Sequence, residues 1–389
     1  MCVSLGRRVA RILAGTYLLS WSLPLAYAQA KGDFAQDVQR RQAIPCASTA
    51  SAIPSGLAVV LPSHDTRDQS ANLRALNNSF MNGVHVQINW RDIEPVEGKP
   101  DWSRLDALFA AAESSNKWVR LSIFPGFFSP EWALEGAQTD LFEIQYGPGH
   151  GTPAKLPMPW DRVYLGRWFT FLRLVAQRYG NSPAFRAIGA AGPTSVSDEM
   201  TLPVPRQRQG TQKWLGDGYT AAKYLDAWEE VFRFYANSFP NQCISLSGPD
   251  LPILKNGKRV DHPERMRAKQ DIVERAMRVF GRRLTIQSND LHAGHAPVEA
   301  LDNTDFINSY SGRIITGFEM RGSSQGPVAS QIMGAEGNPP LALRRSIDKG
   351  MAPNNAGRHI NYLEIYEGDV LAPDMQPVLE YAASLFRQP

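Results

Sequence analysis

Hydrophobic positions in this chain fall into two alternating patterns. Short apolar runs rich in β-branched and aromatic residues recur along it, each closing on polar residues or on Gly and Pro. They lie at Leu57–Leu61, Val84–Trp90, Trp118–Phe124, Ala187–Ala191, Cys243–Ser247, Leu284–Ser288, Ile314–Phe318 and Ile360–Ile365, and their length and composition predict eight strands. Between several of them the apolar residues adopt helical spacing. Trp102–Ala112 places Leu105, Leu108 and Phe109 on one face behind Asp101 as a cap, and Tyr164–Tyr179 and Tyr219–Asn237 carry the same period. Pro263–Phe280 opens on Pro and stops before Gly281, as a helix should. Strands that alternate with helices pair in parallel, and eight such units in about 330 residues predict a closed (β/α)8 barrel, the TIM fold of the α/β class, in one domain. A doubly wound open sheet is the other arrangement this alternation allows. The stretch Gly126–Leu165, rich in Gly, Pro and aromatic residues, reads as a large loop at the C-terminal rim, where barrels build their sites.

The first residues follow neither pattern. Arg7, Arg8 and Arg11 precede an apolar run broken by Pro24, and Ala26-Tyr27-Ala28 has the small-x-small form of a cleavage site. Residues 1–28 are therefore expected to be a signal peptide and the protein to be exported, to a periplasm or the cell exterior, without stable membrane insertion after cleavage. Residues 29–54 are expected to form an extension and 55–389 the barrel domain. Removal of residues 1–28 takes three arginines and no acid, so Lys plus Arg falls from 41 to 38 and equals Asp plus Glu. A formally neutral protein lacks the basic excess that nucleic acid demands, and that class of partner is excluded. Cys46 and Cys243 then remain, either as a bridge in an oxidising compartment or as two separate thiols.

Catalytic groups of a barrel sit at the C-terminal ends of its strands. The seventh run passes directly into Glu319, and the fourth continues through Gly192-Pro193-Thr194-Ser195-Val196-Ser197 into Asp198-Glu199. Strands four and seven stand on roughly opposite sides of the ring, so Glu199 and Glu319 can face each other across the mouth. Two carboxyls so placed suit glycosidic bond cleavage: one keeps a proton for the leaving oxygen and the other attacks the anomeric carbon.

The segment Asn89-Trp90-Arg91-Asp92-Ile93-Glu94-Pro95-Val96-Glu97-Gly98, with Asp101-Trp102 and Leu105-Asp106, and the later Ser129-Pro130-Glu131-Trp132 resemble text found after the second and third strands of clan A retaining glycoside hydrolases acting on β-galactosides and related glycans. The resemblance spans about Leu57 to Phe386. It implies Glu199 as acid/base, Glu319 as nucleophile, a carbohydrate substrate, and neither metal nor organic cofactor. The chain departs from that family at Asp198, where Asn usually holds the sugar 2-hydroxyl. An Asp there can still accept that bond and would raise its neighbour's pKa.

Sugar rings present apolar faces, which makes Trp90, Trp132, Trp160 and Tyr366 candidate platforms, with Arg91, Asp198, His292 and Arg321 as candidate contacts to hydroxyls. Three other readings compete. A glycan-binding barrel without turnover would share these features. Gly322-Ser323-Ser324-Gln325-Gly326 fits a nucleophile elbow, and Ser324, Asp348 and His359 follow in esterase order. His292 with His295, and His64 beside Asp65, could serve a metal hydrolase, although no third ligand has suitable spacing.

Overall fold

A computed structural model describes residues 53–63, 69–145, 149–203, 208–251, 254–255, 258–259, 262–294, 303–326, 329, 333–335 and 337–387, all of them within the unit Ala43–Pro389. Eight parallel strands close into a barrel: β1 (Gly56–Leu61), β2 (Gly83–Asn89), β3 (Trp118–Phe124), β4 (Phe185–Gly189), β5 (Cys243–Ser247), β6 (Leu284–Leu291), β7 (Ile315–Met320) and β8 (Tyr362–Tyr366). Each pairs with its sequence neighbours, and β1 completes the ring against β8, with Gly56 opposite Tyr362 and Val60 opposite Tyr366. All eight predicted strands are present. The open-sheet alternative is overturned by the closure of β1 onto β8.

Period-two alternation separates two cores. Leu57, Val59, Val84, Val86, Val119, Leu121, Ile244, Leu246, Leu363 and Ile365 face outward into the main apolar cluster shared with the helices. Inside the barrel, Ala58, Trp118, Ala187, Cys243, Ile315 and Tyr362 make a small apolar plug, with the Trp118 and Tyr362 rings edge to face at 5.9 Å. The plug supports a polar layer nearer the mouth.

The helices lie where their spacing predicts. Ser103–Ser114 begins where Asp101 accepts the Ser103 amide. Arg162–Tyr179 is capped by Asp161, which accepts from the Tyr164 amide at 2.8 Å, and Ala221–Ser238 is capped by Thr220. The expected loop after β3 is more ordered than its composition suggests. It holds two single turns and a hairpin, Thr139–Glu143 against Pro153–Pro157. Cys243 is disulfide-bonded, and the other cysteines lie outside the described residues, as do residues 1–52. Among the described residues no helix is long and apolar enough to cross a membrane.

Candidate active site

Glu319 stands at the inward face of β7, 2% exposed. Its carboxyl accepts from the Tyr366 hydroxyl at 2.6 Å and from the Gln87 amide at 3.2 Å to each oxygen. His85 Nδ1 lies 3.4 Å from its second oxygen. In its bonds to Tyr366 and Gln87 the carboxyl is the acceptor. Tyr366 keeps its proton for this bond: burial first, and then the Glu319 charge, raise its pKa well above the phenolic value.

Glu199 reaches the mouth by a clamped loop. After β4 the chain leaves the sheet for nine residues and returns to pair beside the end of β5, Glu199 opposite Ser247. The loop is held from β3: the Phe127 amide donates to the Ser195 carbonyl at 2.9 Å. The close approach requires glycine at 126, because φ there is +65° and a β-carbon would sit 2.4 Å from the Ser195 oxygen. The Ser197 hydroxyl donates to Glu199 Oε2 at 3.2 Å. Burial chiefly, reinforced by the charges of Asp198, Glu319 and Asp290, pushes the Glu199 carboxyl up to about 8. The charges of Glu199 and Glu319 both reach Tyr366, so the two carboxyls lie close to one another at the mouth.

Asp198 points the other way, into the barrel, and is fully buried. Its Oδ2 accepts from Arg120 at 2.5 Å and Ser122 at 2.7 Å, and its Oδ1 from Asn289 at 3.3 Å. A side chain at Gly189 would fill this position, its β-carbon 2.3 Å from Asp198 Oδ2. The Asp–Arg pair is thus internal. Asp198 is a buried ion-pair partner and acts on the site through its charge, which corrects its expected place among substrate contacts.

Beneath the mouth lies a charged layer that the strand ends did not reveal. Arg120 on β3 also donates to Glu364 on β8 at 3.2 Å and to Ser247 at 2.9 Å, and lies against the His85 ring, 2.8 and 2.7 Å from its nitrogens. His85 Nδ1 is 3.0 Å from Glu364 Oε2, and Nε2 is 2.8 Å from the Ser122 hydroxyl. Gln287 donates to Glu364 at 3.1 Å and is itself fixed by the Tyr362 hydroxyl. Burial opposes charge on Glu364, yet Arg120 and His85 outweigh it and hold the carboxyl below its usual range. For His85, burial and Arg120 disfavour the proton, but Glu364 and Glu319 prevail and its pKa is raised. The buried Glu364 carboxylate is compensated by Arg120 and His85 together.

The aromatic candidates divide. Tyr366 touches Glu319. Trp90 is corrected: it is fully buried, packed on Trp168 at 5.0 Å and Phe171 at 5.4 Å, and bonded to Glu94 at 3.1 Å. Glu94 also accepts from the Gly98 amide at 2.9 Å, so the Trp-to-Gly segment folds a turn. Trp132 is half-buried edge-on to Trp90 and donates to the Glu94 carbonyl. Trp160 is half-buried beside Trp214 and Tyr219, with the Lys223 ammonium 4.3 Å from its ring. Arg91 is exposed over the Phe128 ring at 5.1 Å. His292 is buried 3.3 Å from Arg321, which leans toward Asp290 at 3.5 Å.

The esterase grouping is not assembled. Ser324 is buried and bonds Asp369, Asp348 is exposed with Arg344 and Tyr381, and His359 Nδ1 meets the Met351 carbonyl at 2.7 Å. His64, Asp65 and His295 lie outside the described residues.

The class that fold and site define is a (β/α)8 barrel with carboxyls gathered at its mouth. The chain is similar to a β-galactosidase from Rahnella sp. R3 at 10% identity and a TM-score of 0.51, covering 88% of this chain and 58% of that one. Others are the catalytic domain of a β-amylase from Paenibacillus polymyxa (11% identity, TM-score 0.48, covering 87% and 100%) and GH10 from Paenibacillus barcinonensis (14%, 0.46, 86% and 90%). At such identities the likeness is one of fold, the barrel that the sequence resemblance implied. No protein-family model and no curated protein matches the chain.

Proposed function

We propose that the chain is a retaining glycoside hydrolase acting on an oligo- or polysaccharide. The observation that carries this reading is the unequal setting of two carboxyls in one cleft. Glu199 is held protonated near neutral pH by burial and neighbouring anions, whereas Glu319 accepts from Tyr366 and Gln87. This is the division of labour that glycosidic cleavage requires. A Glu319 oxygen attacks the anomeric carbon as the bond to the leaving oxygen breaks, and Glu199 gives its proton to that oxygen. Glu199, now a base, takes a proton from water, whose oxygen attacks the same carbon and releases Glu319. Two inversions retain the configuration. Every step in this scheme is carried by the chain's own side chains.

We further propose, from the basic, apolar and small-residue order of residues 1–28, that the enzyme is exported; amino-terminal sequencing of the secreted protein checks it. A panel of polysaccharides assayed for released reducing ends tests the activity, with the anomer of the product read by NMR. Glu319→Gln is expected to abolish release while glycan binding persists. Equal release by wild type and Glu319→Gln overturns the reading, and binding without any release by wild type identifies a glycan-binding barrel instead.

A further inference from the structure

Glu319 and Glu364 occupy opposed positions on adjacent strands, β7 and β8. Two buried carboxylates in register would repel, and the structure places one imidazole between them: His85 Nδ1 is 3.4 Å from Glu319 and 3.0 Å from Glu364. The Glu364 oxygen that meets His85 also meets Arg120, which touches the His85 ring itself and continues to Asp198, next in the chain to Glu199. An unbroken line of buried groups, Glu319–His85–Glu364–Arg120–Asp198, therefore runs under the mouth from one carboxyl to the residue beside the other.

We propose that Glu364 is a positioning residue for this reaction. It holds His85 against Glu319 on one side and Arg120 under Asp198 on the other, so that the attacking and proton-donating halves of the site share one fixed charge frame. The inference rests on the glycosidase reading and deepens it. Glu364 is fully buried and has no path to substrate, so its action passes through the groups it touches. The charged and titratable groups around it are His85 on β2, Arg120 on β3, Glu319 on β7, and Tyr362 and Tyr366 on β8, with Gln287 on β6 bonded to both Glu364 and Tyr362. Those same contacts leave Glu364 with Arg120, His85 and Gln287 as its donors. Removing its charge while keeping its shape leaves His85 with one anion and Arg120 with one fewer, and the Glu319 carboxyl loses its fixed partner.

The test is Glu364→Gln in the full chain, checked for folding by circular dichroism. Two readouts follow: kcat and KM on the glycan identified for wild type, and the His85 ring titration by 15N NMR, assigned with His85→Gln. The expected result is a kcat lowered by about 100-fold with KM within about twofold, and a His85 midpoint lowered by about one pH unit or more. A folded variant with wild-type kcat overturns the proposal. Should wild type cleave nothing, the glycosidase reading falls. NMR alone then decides: a lowered His85 midpoint supports the charge frame and an unchanged one overturns it. If Glu364→Gln does not fold, Glu364→Asp, which keeps the charge and shortens its reach, is expected to lower kcat with KM held, and wild-type kcat in that variant overturns the proposal.

Discussion

At the scale of single residues, Glu199 and Glu319 differ in surroundings far more than in chemistry. Glu199 has one hydroxyl donor and three anions nearby, and its pKa is pushed up to about 8. In its proposed role as general acid it works while protonated, so kcat/KM is expected to fall as pH rises through about 8. Glu199→Gln is expected to lower kcat on unactivated glycans by about 10²–10⁴-fold, measured under saturating substrate. The same residue weakens the fold. Its folded-state pKa lies above the ordinary 4.5, so its contribution to stability is complete below about that pH and is lost as pH rises through about 8. The melting temperature of Glu199→Gln should therefore exceed that of wild type by a margin that grows between those two values, as scanning calorimetry can show. Glu319 was legible in the sequence because a reactive side chain ends an apolar run. Trp90 is not legible in the same way: a Trp beside a Glu-Pro turn serves core packing as readily as a sugar face, and only its complete burial decides.

The strands carry the next level of the account. Their apolar positions announced eight β segments, but the polar positions between them hold the site together. His85, Gln87 and Asn89 alternate with Val84, Val86 and Ile88 on β2, and Arg120 and Ser122 alternate with Leu121 and Ile123 on β3. In a closed barrel coated by helices, such residues face inward and must satisfy one another. That alternation is the sequence signal of the buried layer, which the strand ends alone do not carry. The pairing partners across the ring, Arg120 with Glu364 and Asp198, are set by closure and not by any local spacing. Arg120→Met leaves two buried carboxylates without their cation and is expected to cost about 3–5 kcal/mol in denaturant unfolding. Gly126→Ala forces a left-handed φ on a residue with a β-carbon and drives that carbon into the Ser195 carbonyl. It should lower stability by about 1–3 kcal/mol and displace the loop that delivers Glu199, lowering kcat as well, which thermal melts and initial rates measure together.

For the molecule as a whole, the barrel confines charge to a narrow column. An apolar plug closes its lower end, the layer of Arg120, His85, Asp198 and Glu364 fills the middle, and Glu199, Glu319 and Tyr366 face the cleft. Water is excluded from below, so the charges act on one another strongly. The central claim is that Glu199, half-buried at the mouth, keeps its proton at neutral pH because desolvation and the charges of Asp198 and Glu319 raise its pKa. Its most direct test is a 13C NMR titration of the Glu199 side-chain carboxyl, assigned with Glu199→Gln and repeated in Glu319→Gln. The account predicts a midpoint near pH 8 in wild type and a lower one once the Glu319 charge is gone. A midpoint in the ordinary carboxyl range, unmoved by Glu319→Gln, would contradict it.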